Sequence, residues 1–196
     1  HTFDPRTPPK GLPEDAVHQG VIADINPALL LQEYKVFMNT IEATPQTAVV
    51  VLGEVHDPHN VGAVIRSAAA FGVAGVLIPE HRQASVTGTV VKVSAGMAFR
   101  VPLVSIKNVN TTLRDLKERG FWIYGLEGES NNSLVTEQFD RASAFVLGNE
   151  ARGLREKTGE ECDILLSVPI DERCESLNAS VSAGVVLYEW SRQRNV

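Results

Sequence analysis

Short apolar runs alternate with segments of helical periodicity along most of this chain. Continuous apolar runs, typical of strands buried on both faces, cover residues 47–53, 75–79, 101–106, 121–126, 144–147 and 163–170. Helical spacing of apolar side chains covers residues 28–41, 60–71, 110–119 and 177–192, while residues 86–93 suit either a strand or a buried helix. This alternation predicts an α/β fold, a parallel sheet covered by helices on both faces. Ligands bind such sheets beyond the carboxyl ends of the strands, so chemistry is expected in the loops found there.

The helix predicted over residues 60–71 carries one unusual side chain. Asn60 is a candidate N-cap, and Gly72 is a candidate glycine just beyond the C-terminus. Arg66 interrupts a row of small apolar residues, and Gly62, one turn earlier, leaves the arginine side chain unobstructed. Arg66 is therefore a candidate functional residue, although an arginine whose stem simply covers a helix surface would give the same pattern.

Two further loops carry candidate site residues. After the run at residues 144–147, Gly148 permits close backbone approach to a ligand, although Asn149-Glu150 could equally form a plain turn. Residues 168–180 combine a strand end, an irregular polar loop and a helix start, which indicates a small-molecule pocket with Asn178 at its entrance. Neither a phosphate loop nor a GxGxxG pattern follows any predicted strand, which argues against a nucleotide triphosphate or dinucleotide site.

Composition places the chain among globular proteins. Its 196 residues suit one domain, with 43% hydrophobic and 21% charged residues. No apolar run is long enough to span a membrane. Cys162 and Cys174 have no metal-ligand or redox spacing, so they are expected to be reduced thiols in a cytoplasmic protein. His56 and His59 lack a third ligand at suitable spacing, which makes a metal site a weak interpretation.

The net charge of −6, from 18 basic and 24 acidic residues, argues against RNA binding by bulk electrostatics. Basic residues would have to be concentrated locally, or another domain would have to supply the affinity. Residues 1–20 are rich in proline and lack a hydrophobic period, so they are interpreted as an interdomain linker, with the folded domain spanning residues 21–196.

Three separate segments match, in order and spacing, the three motifs of one enzyme family. The matching residues are Asn60, Gly62, Arg66 and Gly72, then Leu147, Gly148, Asn149, Glu150 and Gly153, then Pro169, Ile170, Ser176, Leu177, Asn178, Ala179 and Ser180. This set, within residues 47–194, resembles the SPOUT class, and more narrowly the SpoU (TrmH-like) RNA ribose 2′-O-methyltransferases. Residues 18–23 and 92–96 are similar to the subgroup that methylates guanosine in 23S rRNA, and Phe99 departs from the glutamate often found there.

The resemblance implies a C-terminal deep trefoil knot, a homodimer, S-adenosyl-L-methionine as cofactor, RNA as substrate and no metal. It also implies an N-terminal substrate-binding domain that would carry much of the RNA affinity, and we expect this chain to be the catalytic domain without it. A tRNA substrate is the alternative within the family. The implied catalytic residues are Arg66, Asn60, Glu150, Asn178 and Ser176, and the implied cofactor-binding residues are Gly128, Leu147, Gly148, Val168, Ile170 and Leu177.

The role of Arg66 follows from its chemistry. A guanidinium keeps its proton above roughly pH 12, so we interpret Arg66 as an anchor for the phosphate beside the target ribose rather than as a base. Two other classes of function are weighed against methyl transfer. The intact set of motif residues argues against a catalytically idle scaffold, and the missing dinucleotide pattern argues against a small-molecule reductase.

Overall fold

The computed structural model describes residues 24–194. The predicted linker over residues 1–20 and the subgroup match at residues 18–23 lie outside the described residues. The described residues form eight strands: β1 (Leu31–Glu33), β2 (Ala48–Leu52), β3 (Gly75–Pro79), β4 (Leu103–Ile106), β5 (Trp122–Leu126), β6 (Asn132–Ser133), β7 (Ser143–Leu147) and β8 (Ile164–Ser167). They form one parallel sheet in the order β1-β4-β3-β2-β7-β5-β8-β6, which confirms the predicted α/β class.

Six α-helices accompany the sheet within residues 24–194: α1 (Tyr34–Met38), α2 (Pro58–Ala70), α3 (Gly88–Val93), α4 (Val109–Glu118), α5 (Glu156–Glu160) and α6 (Ala179–Arg192). The strand β2 shows how they cover it. Val50 and Leu52 pack in a cluster that includes residues of α2 and α6, while Val49 and Val51 pack in a second cluster with residues of α1 and α4. Successive side chains of a strand point to opposite faces, so a continuous apolar run supplies both clusters.

The strand order creates a crevice between β2 and β7. From β2 the chain continues to β3 and β4 on one side, whereas β7, β5 and β8 lie on the other. Leu52 and Leu147 are register partners at the carboxyl ends of these central strands. The loops that follow them diverge at a switch point, where ligands of parallel sheets bind.

The prediction for residues 28–41 is wrong as a single helix. This segment forms a 3₁₀ turn (Pro27–Leu30), the edge strand β1 and the short helix α1. Leu31 and Glu33 pair with β4, and these tertiary hydrogen bonds prevail over the local periodicity. Within residues 86–93, ambiguous in sequence, Gly88–Val93 forms the helix α3.

The predicted helix at residues 60–71 begins earlier than its motif suggested. Asp57, not Asn60, is the N-cap, because its side chain accepts a hydrogen bond from the backbone of His59 at 2.8 Å. Pro58 occupies the first turn, where its missing N–H costs nothing. Asn60 is thereby left free to use its side chain elsewhere.

The closing helix is confirmed, but its apolar stripe faces outward. The strand β8 ends at Ser167 and α6 begins at Ala179, a shorter strand and a later helix start than predicted. Val181, Val185 and Tyr188 are exposed, while the buried side of α6 presents Ala183, Val186, Leu187 and Trp190. Among residues 24–194, no helix combines the length and apolar character that crossing a bilayer would require.

Candidate active site

A cavity of about 370 Å³ lies beyond the carboxyl ends of β5, β7 and β8. Its walls come from three distant parts of the chain: the loop after β5, the loop after β7, and the segment between β8 and α6. All six residues predicted to bind cofactor line it, together with two of the predicted catalytic residues. These residues are Gly128, Leu147, Gly148, Val168, Ile170 and Leu177, with Glu150 and Ser176.

The loop after β7 is a tight turn closed by its own backbone. Asn149 and Gly153 exchange two backbone hydrogen bonds of 2.9 Å, and Asn149 Oδ1 accepts from the backbone of Ala151 and Arg152. Gly153 has φ 66°, which favours glycine. A Cβ on Gly148 would lie 2.2 Å from the Gly153 carbonyl carbon, so position 148 requires glycine. The motif glycines therefore serve turn geometry as well as ligand access.

The third wall is the segment that leads into α6. Asn178 is the N-cap of α6, since its Oδ1 accepts from the backbone of Ser180 at 2.8 Å and from the Ser180 hydroxyl at 2.7 Å. Leu177 is half-buried against the cavity, and Ile170 is 39% exposed at its rim. The cap positions the Asn178 side chain at the edge of the cavity.

Side chains from all three motifs meet in one hydrogen-bond chain. Asn178 Nδ2 donates to Asn60 Oδ1 at 2.9 Å, and Asn60 Nδ2 donates to Glu150 Oε1 at 3.1 Å. Glu150 also accepts from the backbone N–H groups of Asp57 at 3.1 Å and His56 at 3.3 Å. The structure thus brings together Asn60, Glu150 and Asn178, three of the five predicted catalytic residues.

The Glu150 carboxyl is held in its ionised form. Burial by itself raises its pKa, but hydrogen bonds from Asn60 and from the backbone of Asp57 and His56 outweigh burial and bring the pKa below its usual value. A carboxylate with a lowered pKa is a weak proton acceptor. Glu150 is therefore suited to holding its neighbours in place rather than to removing a proton.

Arg66 is not brought to this hydrogen-bond chain. Its side chain is exposed on α2, and within residues 24–194 it has no hydrogen bond or ion pair and does not line the cavity.

Gly62 has a role that sequence reasoning missed. A Cβ there would lie 2.9 Å from the Val90 carbonyl oxygen and 2.7 Å from Val93 Cβ, so Gly62 allows α3 to pack closely on α2.

The cavity has an acidic lining. Four carboxylates contribute to its walls, and one cation, Arg152, accompanies them. Sequence reasoning identified Glu150 but missed the others, because three glutamates divided between two distant loops form no local pattern. These are Glu127, Glu129 and Glu175. A negative lining favours a small ligand that carries positive charge.

The weak metal interpretation finds no support in the geometry. His56 Nε2 lies 3.0 Å from the Arg82 carbonyl oxygen, which engages that ring nitrogen. In the described part of the chain, no three His, Cys, Asp or Glu side chains group as metal ligands would. Both cysteines are free thiols, as expected. Burial raises the pKa of Cys162 to about 12.

Comparison with known proteins identifies the family of this chain. The SpoU rRNA Methylase family model matches residues 47–188. The 23S rRNA (guanosine-2′-O-)-methyltransferase RlmB of Xylella fastidiosa is 44% identical over 179 residues, which cover 91% of this chain and 72% of that protein. The Escherichia coli enzyme of the same name is 40% identical over 182 residues, 93% of this chain and 74% of that one.

Solved structures give the same result. The SpoU methyltransferase AviRb of Streptomyces viridochromogenes superposes with a TM-score of 0.74 at 26% identity, over 81% of this chain and 63% of that chain. Its complex with AdoMet superposes with a TM-score of 0.69 at 29% identity, over 75% and 57% of the two chains. This chain thus spans less than two thirds of AviRb. The motifs, the parallel sheet and these relatives together show that the chain belongs to the SpoU rRNA methylase family.

Proposed function

We propose that this chain transfers a methyl group from S-adenosyl-L-methionine to a ribose 2′-hydroxyl of RNA, with guanosine in 23S rRNA as its substrate. The observation that carries the proposal is the meeting of three motifs at one place. Their backbone and apolar residues line one cavity, and their polar side chains form the hydrogen-bond chain from Asn178 through Asn60 to Glu150 at its edge. RlmB relatives at 40% to 46% identity support the choice of substrate.

The cavity suits this cofactor in size and charge. At about 370 Å³ it falls within the usual range for small-molecule sites. S-adenosyl-L-methionine carries a sulfonium and an ammonium against one carboxylate, a net positive charge that complements four lining glutamates and one arginine. Gly128, Gly148 and Val168 would present backbone groups to it, and Leu177 would cover an apolar face. When bound, the cofactor supplies a methyl group activated by its positively charged sulfur.

The chain's own residues then have to orient the ribose, whose 2′-hydroxyl loses its proton to solvent water as the methyl group is transferred. Asn60 and Asn178 are fixed by their mutual hydrogen bond, so they form a rigid polar edge to the cavity. Ser176 lines the same cavity and can contact cofactor or nucleotide. Arg66, exposed and unpaired within the described residues, is available for the phosphate beside the target ribose.

Arg66→Ala tests this function. We expect tritiated methyl transfer to 23S rRNA to fall by about 100-fold or more, since loss of positioning has effects of that size. Calorimetry should show unchanged affinity for S-adenosyl-L-methionine, because Arg66 does not line the cavity. Arg141→Ala, which removes an exposed cation at the amino end of β7, is the matched control. Near wild-type transfer by Arg66→Ala would overturn the assigned role, and transfer to tRNA instead of 23S rRNA would overturn the substrate.

A homodimer is part of the proposal. Val181, Val185 and Tyr188 form an exposed apolar stripe on α6, and Tyr188 contacts Phe71, the C-cap residue of the neighbouring α2, edge-on at 6.0 Å. A stripe of this kind is typical of a protein–protein interface. Since Arg66 lies on α2, a second copy packed on this face would approach the exposed arginine.

The deep trefoil knot also belongs to the proposal. In the sheet, β8 lies between β5 and β6, so the C-terminal part of the chain is inserted between strands formed earlier in sequence. This insertion supports a threaded path for the segment that leads into α6. When the chain is pulled from its two ends, a tightened knot should remain, so the extended chain should be shorter than its full contour length. An extended length equal to the full contour length would contradict the knot.

The two free cysteines support a cytoplasmic location.

A further inference from the structure

A second cavity, of about 480 Å³, opens at the same edge of the sheet beyond the carboxyl ends of β2, β3 and β4. Its charge is opposite to that of the cavity beyond β5, β7 and β8, which we call the cofactor cavity. Four side chains with permanent positive charge line it, against the two carboxylates of Glu54 and Glu156. The cations are Arg82, Lys107, Arg155 and Lys157. We call this site the basic cavity.

Most of this positive charge is available to a ligand. Within residues 24–194, neither Lys107 nor Lys157 has an ion-pair partner, and both are exposed. Arg155 binds the Glu54 carboxylate with two contacts of 2.8 Å, while Arg82 lies 4.0 Å from the same carboxylate and is 68% exposed. One carboxylate shared by two guanidinium groups leaves an excess of positive charge, to which the lysines add.

Glu54 joins the basic cavity to the cofactor cavity. Its backbone carbonyl accepts a hydrogen bond of 3.0 Å from Asn149 Nδ2, in the turn that lines the cofactor cavity. Its side chain holds Arg155 in the basic cavity. Glu54 has φ 69°, a left-handed conformation that non-glycine residues adopt mainly where surrounding contacts impose it. The two cavities are therefore neighbours with a fixed separation.

We propose that the basic cavity binds the phosphate backbone of the RNA strand that continues from the target ribose. The inference rests on the proposed function and extends it, because it assigns an RNA site that uses none of the motif residues. Phosphate contacts require clustered lysine and arginine. Although the chain carries a net charge of −6, this cluster supplies that requirement locally. The separation of charge also keeps the RNA backbone out of the acidic cavity and directs it to the adjacent basic one.

The test compares two double variants with equal loss of charge. Lys107→Gln/Lys157→Gln removes the two unpaired cations of the basic cavity. Arg119→Gln/Arg141→Gln removes two exposed cations near the amino ends of β5 and β7, at the opposite edge of the sheet. A 23S rRNA transcript is the probe, and its affinity is measured by filter binding over a series of salt concentrations. Calorimetry with S-adenosyl-L-methionine reports on the cofactor cavity.

We expect the lysine pair to weaken RNA binding by about tenfold and to reduce the salt slope by about 0.7 for each single-stranded phosphate that is no longer neutralised. Cofactor affinity should stay at the wild-type value, and the arginine pair should bind RNA like wild type. Unchanged RNA affinity in the lysine pair, or an equal loss in the arginine pair, would overturn the proposal. If the variants differ from wild type in RNA binding as expected but the wild-type protein methylates no RNA, the proposed function is refuted and the basic cavity remains supported.

Discussion

Asn178 donates a hydrogen bond of 2.9 Å from its Nδ2 to Oδ1 of Asn60, across 118 residues of sequence. The direction of this bond is determined by Glu150, because a carboxylate can only accept: it accepts from Asn60 Nδ2, which leaves Asn60 Oδ1 to accept from Asn178. Asn178 Oδ1 is in turn committed to the first turn of α6. The start of α6 is thus tied to the loop after β7 through the start of α2.

Replacement of Glu150 by glutamine should interrupt the hydrogen-bond chain from Asn178 through Asn60 to Glu150. One acceptor oxygen becomes an NH₂ group that faces donors from Asn60 or the backbone of Asp57 and His56. We expect the free energy of unfolding to fall by about 1 kcal/mol or less, because Glu150 is exposed and water can satisfy the displaced donor, and methyl transfer to fall because the hydrogen-bond chain is interrupted. Urea denaturation and tritiated methyl transfer measure the two effects. Glu118→Gln, at the exposed end of α4, is the control, and equal behaviour of the two variants would refute the ordering role.

Gly148→Ala should destroy the turn after β7. The added Cβ would lie 2.2 Å from the Gly153 carbonyl carbon, which is backbone and cannot move aside like a side chain. We expect a loss of at least about 2 kcal/mol in stability and no calorimetric binding of S-adenosyl-L-methionine. Gly159→Ala in α5 has nothing within 4 Å of its Cβ and should leave both measurements unchanged or improve stability. Cofactor binding by Gly148→Ala at wild-type affinity would contradict the assigned cavity.

The acidic lining of the cofactor cavity predicts an effect of salt on ligand choice. Four carboxylates should attract S-adenosyl-L-methionine more strongly than S-adenosylhomocysteine, which lacks the sulfonium charge. Raising the ionic strength from about 0.05 M to 0.5 M should weaken binding of the charged cofactor severalfold and change product affinity less. Calorimetry measures both affinities at both salt concentrations. If salt weakens the affinity for the two ligands equally, the glutamates do not attract the cofactor by its charge.

The exposed stripe on α6 predicts how the chain assembles. Val185→Glu places a charge in the proposed dimer interface, where its desolvation is unfavourable, so sedimentation equilibrium should show a monomer where wild type is a dimer. Val135→Glu is a matched control, because Val135 is also an exposed valine, at 72% exposure, but lies on a 3₁₀ turn away from α6. A monomeric wild type, or a Val185→Glu dimer as stable as the control, would rule out this interface.

The local sequence signals of this chain are informative where one segment decides its own structure. The runs that form β2, β3 and β7 are apolar on both faces, and this requires burial whatever surrounds them. The segment around β1 shows the opposite case. Its helical spacing is a local signal, but pairing with β4 determines its conformation.

The residues of the candidate site also fall into those that the sequence identifies and those that only the structure identifies. The motif residues Gly148, Glu150 and Asn178 can be identified from sequence because residue type and spacing carry the match. Asn60 has the pattern of an N-cap, but the local pattern does not show that Glu150 takes its amide and leaves Asp57 to cap the helix. Glu54 offers no signal at all, since its two roles depend on partners about a hundred residues away.

The sequence by itself determined the α/β class, the family and the residues of the three motifs, because periodicity and motif spacing are properties of contiguous chain. Only the tertiary structure decided which side chains meet, which face of α6 stays exposed and where charge accumulates. The net charge of −6 concealed an acidic cavity beside a basic one. Parallel strands bring the loops of distant segments to one edge of the sheet, and the charges of those loops combine only there.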